Sequence, residues 1–257
     1  MRNVVIKMMF DGAGYHGFQR QNNGITVQET VEEAIFAVTR EKTPLIGCSR
    51  TDAGVHAKNY VAMFATNTKI PMSLLPKAIN SALPEDIRVM GAQEAPPGFH
   101  PIASAVEKTY EYTIVNRRCM DVFMRDRAWF YPKPLQTEEM CAAAKHFLGE
   151  HDFAAFMAAG GSAKTSVRTI KTLSVLEEDG IIRIRISANG FLYNMVRIIT
   201  GTLVCVGNGR LQSADIPAII ASCDRRRAGM TAPPHGLMLL ETVYADFTVG
   251  GSTDEKA

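Results

Sequence analysis

The sequence predicts an α+β chain built from two ferredoxin-like α/β-sandwich halves, each an antiparallel sheet flanked by helices. Three observations carry this. The first hundred residues alternate in the order β-α-β-β-α-β, the alternation returns with insertions in the second half, and Pro96-Pro97-Gly98 breaks the chain between them. The expected boundaries are 1–103 for the first half and 104–248 for the second, with 249–257 as a flexible tail.

Asn3 to Asp11 is apolar and reads as a strand, which Gly12, Gly14 and Gly17 then end. A helix is predicted from Thr26, because Thr26 and Glu29 have capping-box spacing and Val27, Val31, Ala34, Ile35 and Val38 recur at helical spacing. Pro44 to Arg50 reads as a strand, Thr51 to Lys58 as a loop, and Asn59 to Thr66 as another strand. Ser73 is placed to cap a short helix reaching about Leu83, and Ile87 to Gln93 completes the first half. Two helices on one face leave the other sheet face free for a ligand or partner. The second half opens with a strand from Val106 to Asn116 and a helix capped by Thr137. Strands Thr169 to Glu177 and Ile181 to Ala188 follow, then helices Leu192 to Val206 and Ser213 to Ser222, and a last strand Met238 to Phe247.

Of the 257 residues, 46% are hydrophobic and 21% charged, an ordinary globular mixture. No apolar run reaches the roughly 18–20 residues of a membrane span, so neither a membrane helix nor a secretory leader is expected. Cys48, Cys119, Cys141, Cys205 and Cys223 are odd in number and never spaced C-x-x-C, which points to reduced thiols in the cytoplasm. The histidines show no metal-ligand spacing, and no Walker loop, G-x-G-x-x-G or G-x-S-x-G is present. Nucleotide-hydrolysing, dinucleotide-dependent and serine-hydrolase readings therefore all lack support.

A net charge of +2 is by itself too mild to announce a nucleic-acid partner. Its distribution says more. Lys42, Arg50, Lys58, Lys69 and Lys77 face a single acid, Asp52, between Lys42 and Leu83. Phe153 to Leu176 carries Lys164, Arg168 and Lys171 without an acid, and Arg225-Arg226-Arg227 is a third basic spot.

Asp52 follows a strand, between Arg50 and a turn-permitting Gly54. A turn-capping aspartate would look the same from position alone; a lone acid among cations also suits a nucleophilic carboxylate. Arg197 sits in the middle of an otherwise apolar helix, where a guanidinium needs an anion. Asp52 is the candidate partner, with another acid or solvent as alternatives. Gly201, one turn on, suggests a close backbone approach. Tyr110 and Tyr112 project from one face of their strand with Lys108, an arrangement that suits either base stacking on an open sheet or a pair of core tyrosines. His56 is read as making a loop hydrogen bond.

Ser49-Arg50-Thr51-Asp52-Ala53-Gly54-Val55-His56-Ala57 closely resembles the hallmark R-T-D-x-G-V-H-A of the tRNA pseudouridine synthase A family. Asp11-Gly12 through Gly17-Phe18-Gln19, Thr26-Val27-Gln28, Phe99-His100, Lys108-Thr109-Tyr110-Glu111-Tyr112, Asn189-Gly190-Phe191 through Met195-Val196-Arg197, and Gly236-Leu237 extend the resemblance along the chain. It departs at Ser49, where many members have glycine, and at Ile102, where many have arginine. The resemblance implies isomerisation of uridine to pseudouridine at positions 38, 39 and 40 of the tRNA anticodon stem-loop, by a homodimer that uses no cofactor or metal. It also implies an active-site cleft between the two halves. The family's aspartate falls on Asp52, the tyrosine that packs on the target base on Tyr110, the arginine that pairs with the aspartate on Arg197, and the arginine that holds the base flipped out on Arg50.

The reaction breaks the N1–C1′ glycosidic bond and rejoins the ring through C5, so it needs a carboxylate for a covalent adduct, at C1′ or C6, and a pocket that retains the freed base. A stacked uridine must first leave the helix. A non-catalytic module of two RRM-like units would explain the tyrosines and basic patches but leaves Asp52 without a purpose. A glycosidase would need a second nearby carboxylate.

Overall fold

The computed structural model of the protein describes residues 1–161, 163–245 and 247–250. The elements up to residue 106 begin with β1 (Arg2–Phe10), α1 (Val27–Thr39), β2 (Ile46–Gly47), β3 (His56–Thr66), α2 (Leu75–Asn80), β4 (Ile87–Glu94) and the first residues of β5 (Ala105–Val115). After them come β6 (Trp129–Phe130), α3 (Thr137–Ala144), β7 (Gly149–Asp152), β8 (Val167–Glu178), β9 (Ile181–Ala188), α4 (Met195–Gly207), α5 (Ile216–Ser222) and β10 (Leu237–Tyr244), with short 3-10 turns between. The chain forms two units: Met1–Val106 with the chain from Leu239 onward, and Glu107–Met238. Among the described residues no helix is long and apolar enough to cross a membrane.

In the first unit the strands lie in the order β4-β1-β3-β10, with β2 on β3. β1 is antiparallel to both neighbours, Ile6 facing Ala62 of β3 and Ala92 of β4. Val4, Val5 and Ile6 are all fully buried. Successive side chains point to opposite faces, so both faces of the sheet are covered there, against the expectation of one free face. α1 starts as expected: the Thr26 hydroxyl accepts from Glu29 N at 3.3 Å.

Three other elements differ from expectation. β2 shrinks to two residues, because the Leu45 backbone is taken by α1 side chains: Leu45 N donates to Glu32 Oε1 (2.9 Å) and Gln28 Nε2 donates to Leu45 O (3.1 Å). α2 is opened by Pro76 in its first turn, not by a Ser73 cap. The last strand, expected in 104–248, groups with the first unit, since β10 lies beside β3 and Asn59 Nδ2 donates to Leu240 O at 2.8 Å. Of the expected flexible tail, Val249 is buried and Gly250 N donates to Gln93 Oε1 at 3.0 Å; 251–257 lie outside the described residues.

The second unit pairs β5-β9-β8-β7 antiparallel, with β6 parallel to β5. Ile182, Ile184 and Ile186 of β9 are buried, and the register sets Tyr112 beside Ile184 and Tyr110 beside Ile186. The opposite face carries Glu111 paired to Arg185 (2.8 Å) and Glu107 paired to Lys171 (2.7 Å). α4 is buried at nearly every position, as its all-round apolar sequence demands. An alanine methyl at Gly201 would stand 1.8 Å from Met230 O, so the expected close approach is made by the strap Gly229–Ala232. α3 begins at Thr137, yet Gln136 is its N-cap residue, and the Thr137 hydroxyl instead donates to Glu177 Oε2 at 2.8 Å.

Candidate active site

In the first unit, Asp52 lies in the short link between β2 and β3, partly exposed and held through its neighbours' backbone. Val55 N donates to Asp52 O (3.2 Å), closing a turn in which Gly54 has φ +78°. Phe18 N donates to Thr51 O (3.1 Å) and Gly54 N to Tyr15 O (3.3 Å), so the loop after β1 grips the link on both sides of the carboxylate. The grip requires glycine: a methyl at Gly12 would lie 2.0 Å from Val55 O, and one at Gly17, which has φ +85°, 2.6 Å from Thr51 O. Two buried side chains tie the ends down. His56 Nδ1 stands 3.1 Å from Gly12 N and 3.0 Å from Asp11 Oδ1, so it joins β3 to the end of β1 in either protonation state. Tyr15 donates to Asp86 Oδ1 at 2.7 Å, and burial first, then that carboxylate, push its phenol pKa up, so it remains a donor.

Upstream, Ser49 N donates to the Tyr60 hydroxyl at 3.3 Å, that hydroxyl donates to Ser49 O, and the Tyr60 ring stacks on Phe18 at 4.5 Å. Arg50 follows directly and is exposed. Lys42, Lys58, Lys69 and Lys77 are exposed as well, so the lysines of the basic stretch around Asp52 face solvent. Ile102, at the departure from the family pattern, is also exposed.

In the second unit, Arg197 stands in the first turn of α4, not in its middle. Asn194, in the left-handed conformation (φ 60°), is the N-cap residue, so the helix begins at Met195, two residues before Arg197. Arg197 Nε donates to Ala232 O (2.7 Å) and Nη1 to Asn194 Oδ1 (2.7 Å), which fixes the plane of the guanidinium. A cation beside helix N–H groups is electrostatically disfavoured, so these acceptors offset part of that cost.

Tyr110 is almost buried, its ring meeting Phe191 edge-to-face at 5.2 Å. Tyr112 is a core residue: it is fully buried, its hydroxyl donates to Pro233 O at 2.7 Å, and burial raises its pKa. The tyrosines therefore occupy the apolar sheet face, as the core-pair alternative has it for Tyr112. The third basic spot is largely engaged, with Arg225 Nη1 donating to Gly229 O at 2.8 Å and Arg226 paired to Asp224 at 2.8 Å. Sequence reasoning missed Asn194, although a polar residue just before the apolar run was visible. Among the described residues no group of three or more His, Cys, Asp or Glu side chains is placed to hold a metal.

Residues 6–102 and 143–245 match the family described as tRNA pseudouridine synthase. The chain belongs to that family. Arg50, Asp52 and Arg197 lie within the two matched stretches of this synthase, and Tyr110 lies between them. A tRNA pseudouridine synthase A of Thermoanaerobacter sp. (strain X514) is 49% identical over 95% of this chain and 100% of its own length. The synthase A of Caldicellulosiruptor bescii is 47% identical with the same coverage. A solved chain from a Cbf5-Nop10-Gar1 complex matches at TM-score 0.39 and 13% identity, over 92% of this chain and 48% of that one, a likeness too weak to inform fold or chemistry.

Proposed function

We propose that this tRNA pseudouridine synthase acts at positions 38, 39 and 40 of the anticodon stem-loop, with Asp52 as its nucleophile. The observation that carries the reading is the Asp52 link itself, a partly exposed carboxylate whose flanking backbone is fixed by three turn and loop hydrogen bonds, in a stretch whose other charged side chains are exposed cations. Pre-positioning of that kind is what a covalent step needs.

On this reading the N1–C1′ bond breaks, Asp52 holds the adduct at C1′ or C6, the ring turns, and C5 bonds to C1′. C5 gives up its hydrogen and N1 gains one, so nothing is oxidised or hydrolysed. Arg197 is the cation that serves the carboxylate, Tyr110 packs on the extruded uracil, and Arg50 holds the base out of the stem. No metal or cofactor enters these steps. The enzyme works as a homodimer in the cytoplasm, and the pairing of β4 with β1 and of β1 with β3 in its first unit, with the short β2 also on β3, supports the ferredoxin-like reading of that half.

Asp52→Asn tests the assignment. Pseudouridine formation should disappear while tRNA affinity stays near that of the parent enzyme; an active variant would overturn the assignment. Arg197→Met should slow the reaction and move the acid limb of the pH–rate profile to higher pH, and an unchanged profile would count against its role. Transcripts bearing uridine at only one of the three positions would test the positional assignment.

A further inference from the structure

The link between β5 and β6 carries features that neither the fold nor the Asp52 site uses. Its base is pinned: Asn116 Nδ2 donates to Tyr131 O (2.6 Å) and Lys133 O (2.7 Å), and Arg117 Nε to Asp179 O (2.5 Å). Its tip is a 3-10 turn, Val122–Met124, capped by Asp121, which accepts from Phe123 N through Oδ1 (3.0 Å) and from Met124 N through its carbonyl (3.0 Å). This ordered turn holds Phe123 87% exposed and Val122 61% exposed. A single exposed apolar side chain needs no explanation. Here two are adjacent on a capped turn, and Arg117, Arg118 and Arg125 of the same link are exposed too, Arg125 in a solvent-exposed ion pair with Asp126 at 3.2 Å that a phosphate would have to replace.

An exposed aromatic ring among guanidinium groups suits a nucleic acid, whose bases offer stacking faces and whose phosphates offer negative charge. A second copy of the same tip would set arginine against arginine. The loop also lies in the stretch between the two family-matched regions, 6–102 and 143–245.

We propose that this loop is a second RNA contact of the enzyme, in which Phe123 stacks on an unpaired base of the tRNA and Arg117, Arg118 and Arg125 take phosphates. The proposal rests on the synthase reading for the identity of its RNA.

The test uses the full chain and a tRNA transcript. Phe123→Ala should weaken binding by about 5- to 150-fold, the range for losing one base–aromatic stack, with the loss falling on KM rather than kcat. Phe123→Trp should restore affinity. Removing Arg118 and Arg125 together should flatten the dependence of log K on log salt by about 0.7 or more per lost phosphate contact. Leu176→Ala, another exposed apolar position (67%), is the control and should leave affinity unchanged. Parent-like affinity in Phe123→Ala together with an unchanged salt slope in the arginine variant would overturn the proposal. Loss of self-association in sedimentation, with tRNA affinity following it, would overturn it in favour of a contact between copies. If the parent chain forms no pseudouridine in any transcript, the synthase reading fails instead, independently of whether Phe123→Ala weakens RNA binding.

Discussion

Gly12→Ala isolates the grip on the Asp52 link from every side-chain effect. The new methyl would stand 2.0 Å from Val55 O and 2.7 Å from Val55 C, whereas Cβ atoms essentially never come within 3.0 Å of a heavy atom outside their own residue and its chain neighbours. Both sides of the clash are backbone, so no rotamer relieves it and the loop after β1 must part from the link by about 1 Å. A displacement of that size at a reacting group costs on the order of a hundredfold in rate. The accompanying strain costs about 1–3 kcal/mol, which in a chain of this length lowers Tm by roughly 2–12 °C. The rate is read from tritium released by tRNA labelled at uridine C5, because C5 gives up its hydrogen on bonding to C1′. Gly14→Ala supplies the control within the same loop: no atom lies within 4 Å of its methyl position, so rate and Tm should hold. A Gly12→Ala enzyme with parental rate and Tm, or equal damage from Gly14→Ala, would refute the clamp.

Three further outcomes follow from the geometry. Asn194→Ala and Asn194→Gly both remove the oxygen that receives Arg197 Nη1, so both should slow the reaction; only alanine also strains the left-handed backbone, and calorimetry should find it about 1 kcal/mol less stable than glycine. Arg225→Met deletes the bonds to Gly229 O and Thr231 Oγ1 that brace the strap from the preceding turn, and a stability loss of about 1–3 kcal/mol in denaturant is expected. The Glu41 carboxylate accepts from the Thr66 hydroxyl at 2.6 Å and from Asn67 N, and these bonds, that of Thr66 first, hold its pKa below the usual value. The stability this gives is present above the ordinary glutamate pKa and is lost as pH falls through the lowered one, so Thr66→Val should move the Glu41 titration upward by NMR and flatten that acid loss.

Local rules were legible where a few neighbouring residues decide the outcome. The Thr26 cap depends on Glu29 three residues away, and the turn around Asp52 depends on Gly54. β2 was not legible, because Pro44 to Arg50 has strand composition while the bonding of Leu45 is decided by Gln28 and Glu32 on α1. Placing Arg197 in mid-helix failed for the same kind of reason: apolar periodicity runs through Leu192, but the left-handed Asn194 sets where the helix can begin. Tyr110 and Tyr112 by themselves leave the choice between an open platform and a core pair open, although the sequence could have decided it. Glu107 and Glu111 alternate with them on β5, as Arg183 and Arg185 alternate with isoleucines on β9, and that pattern assigns the tyrosines to the apolar side. The Asp52 motif was legible as sequence, whereas its grip by Gly12, Tyr15 and Phe18 is a contact across some forty residues that no local pattern encodes.

The return of β10 to the first unit has a consequence for biosynthesis. The second unit is one uninterrupted stretch, Glu107–Met238, while the first needs Leu239 onward to complete its sheet. A ribosome therefore releases every residue of the second unit before the first can close. Until then β3, the strand that continues directly from the Asp52 link, keeps part of one edge unpaired, since β2 covers only Ala62 and Met63 on that side. Chains that terminate early therefore carry the Asp52 motif without its finished scaffold, and completeness of translation becomes a condition for a working nucleophile.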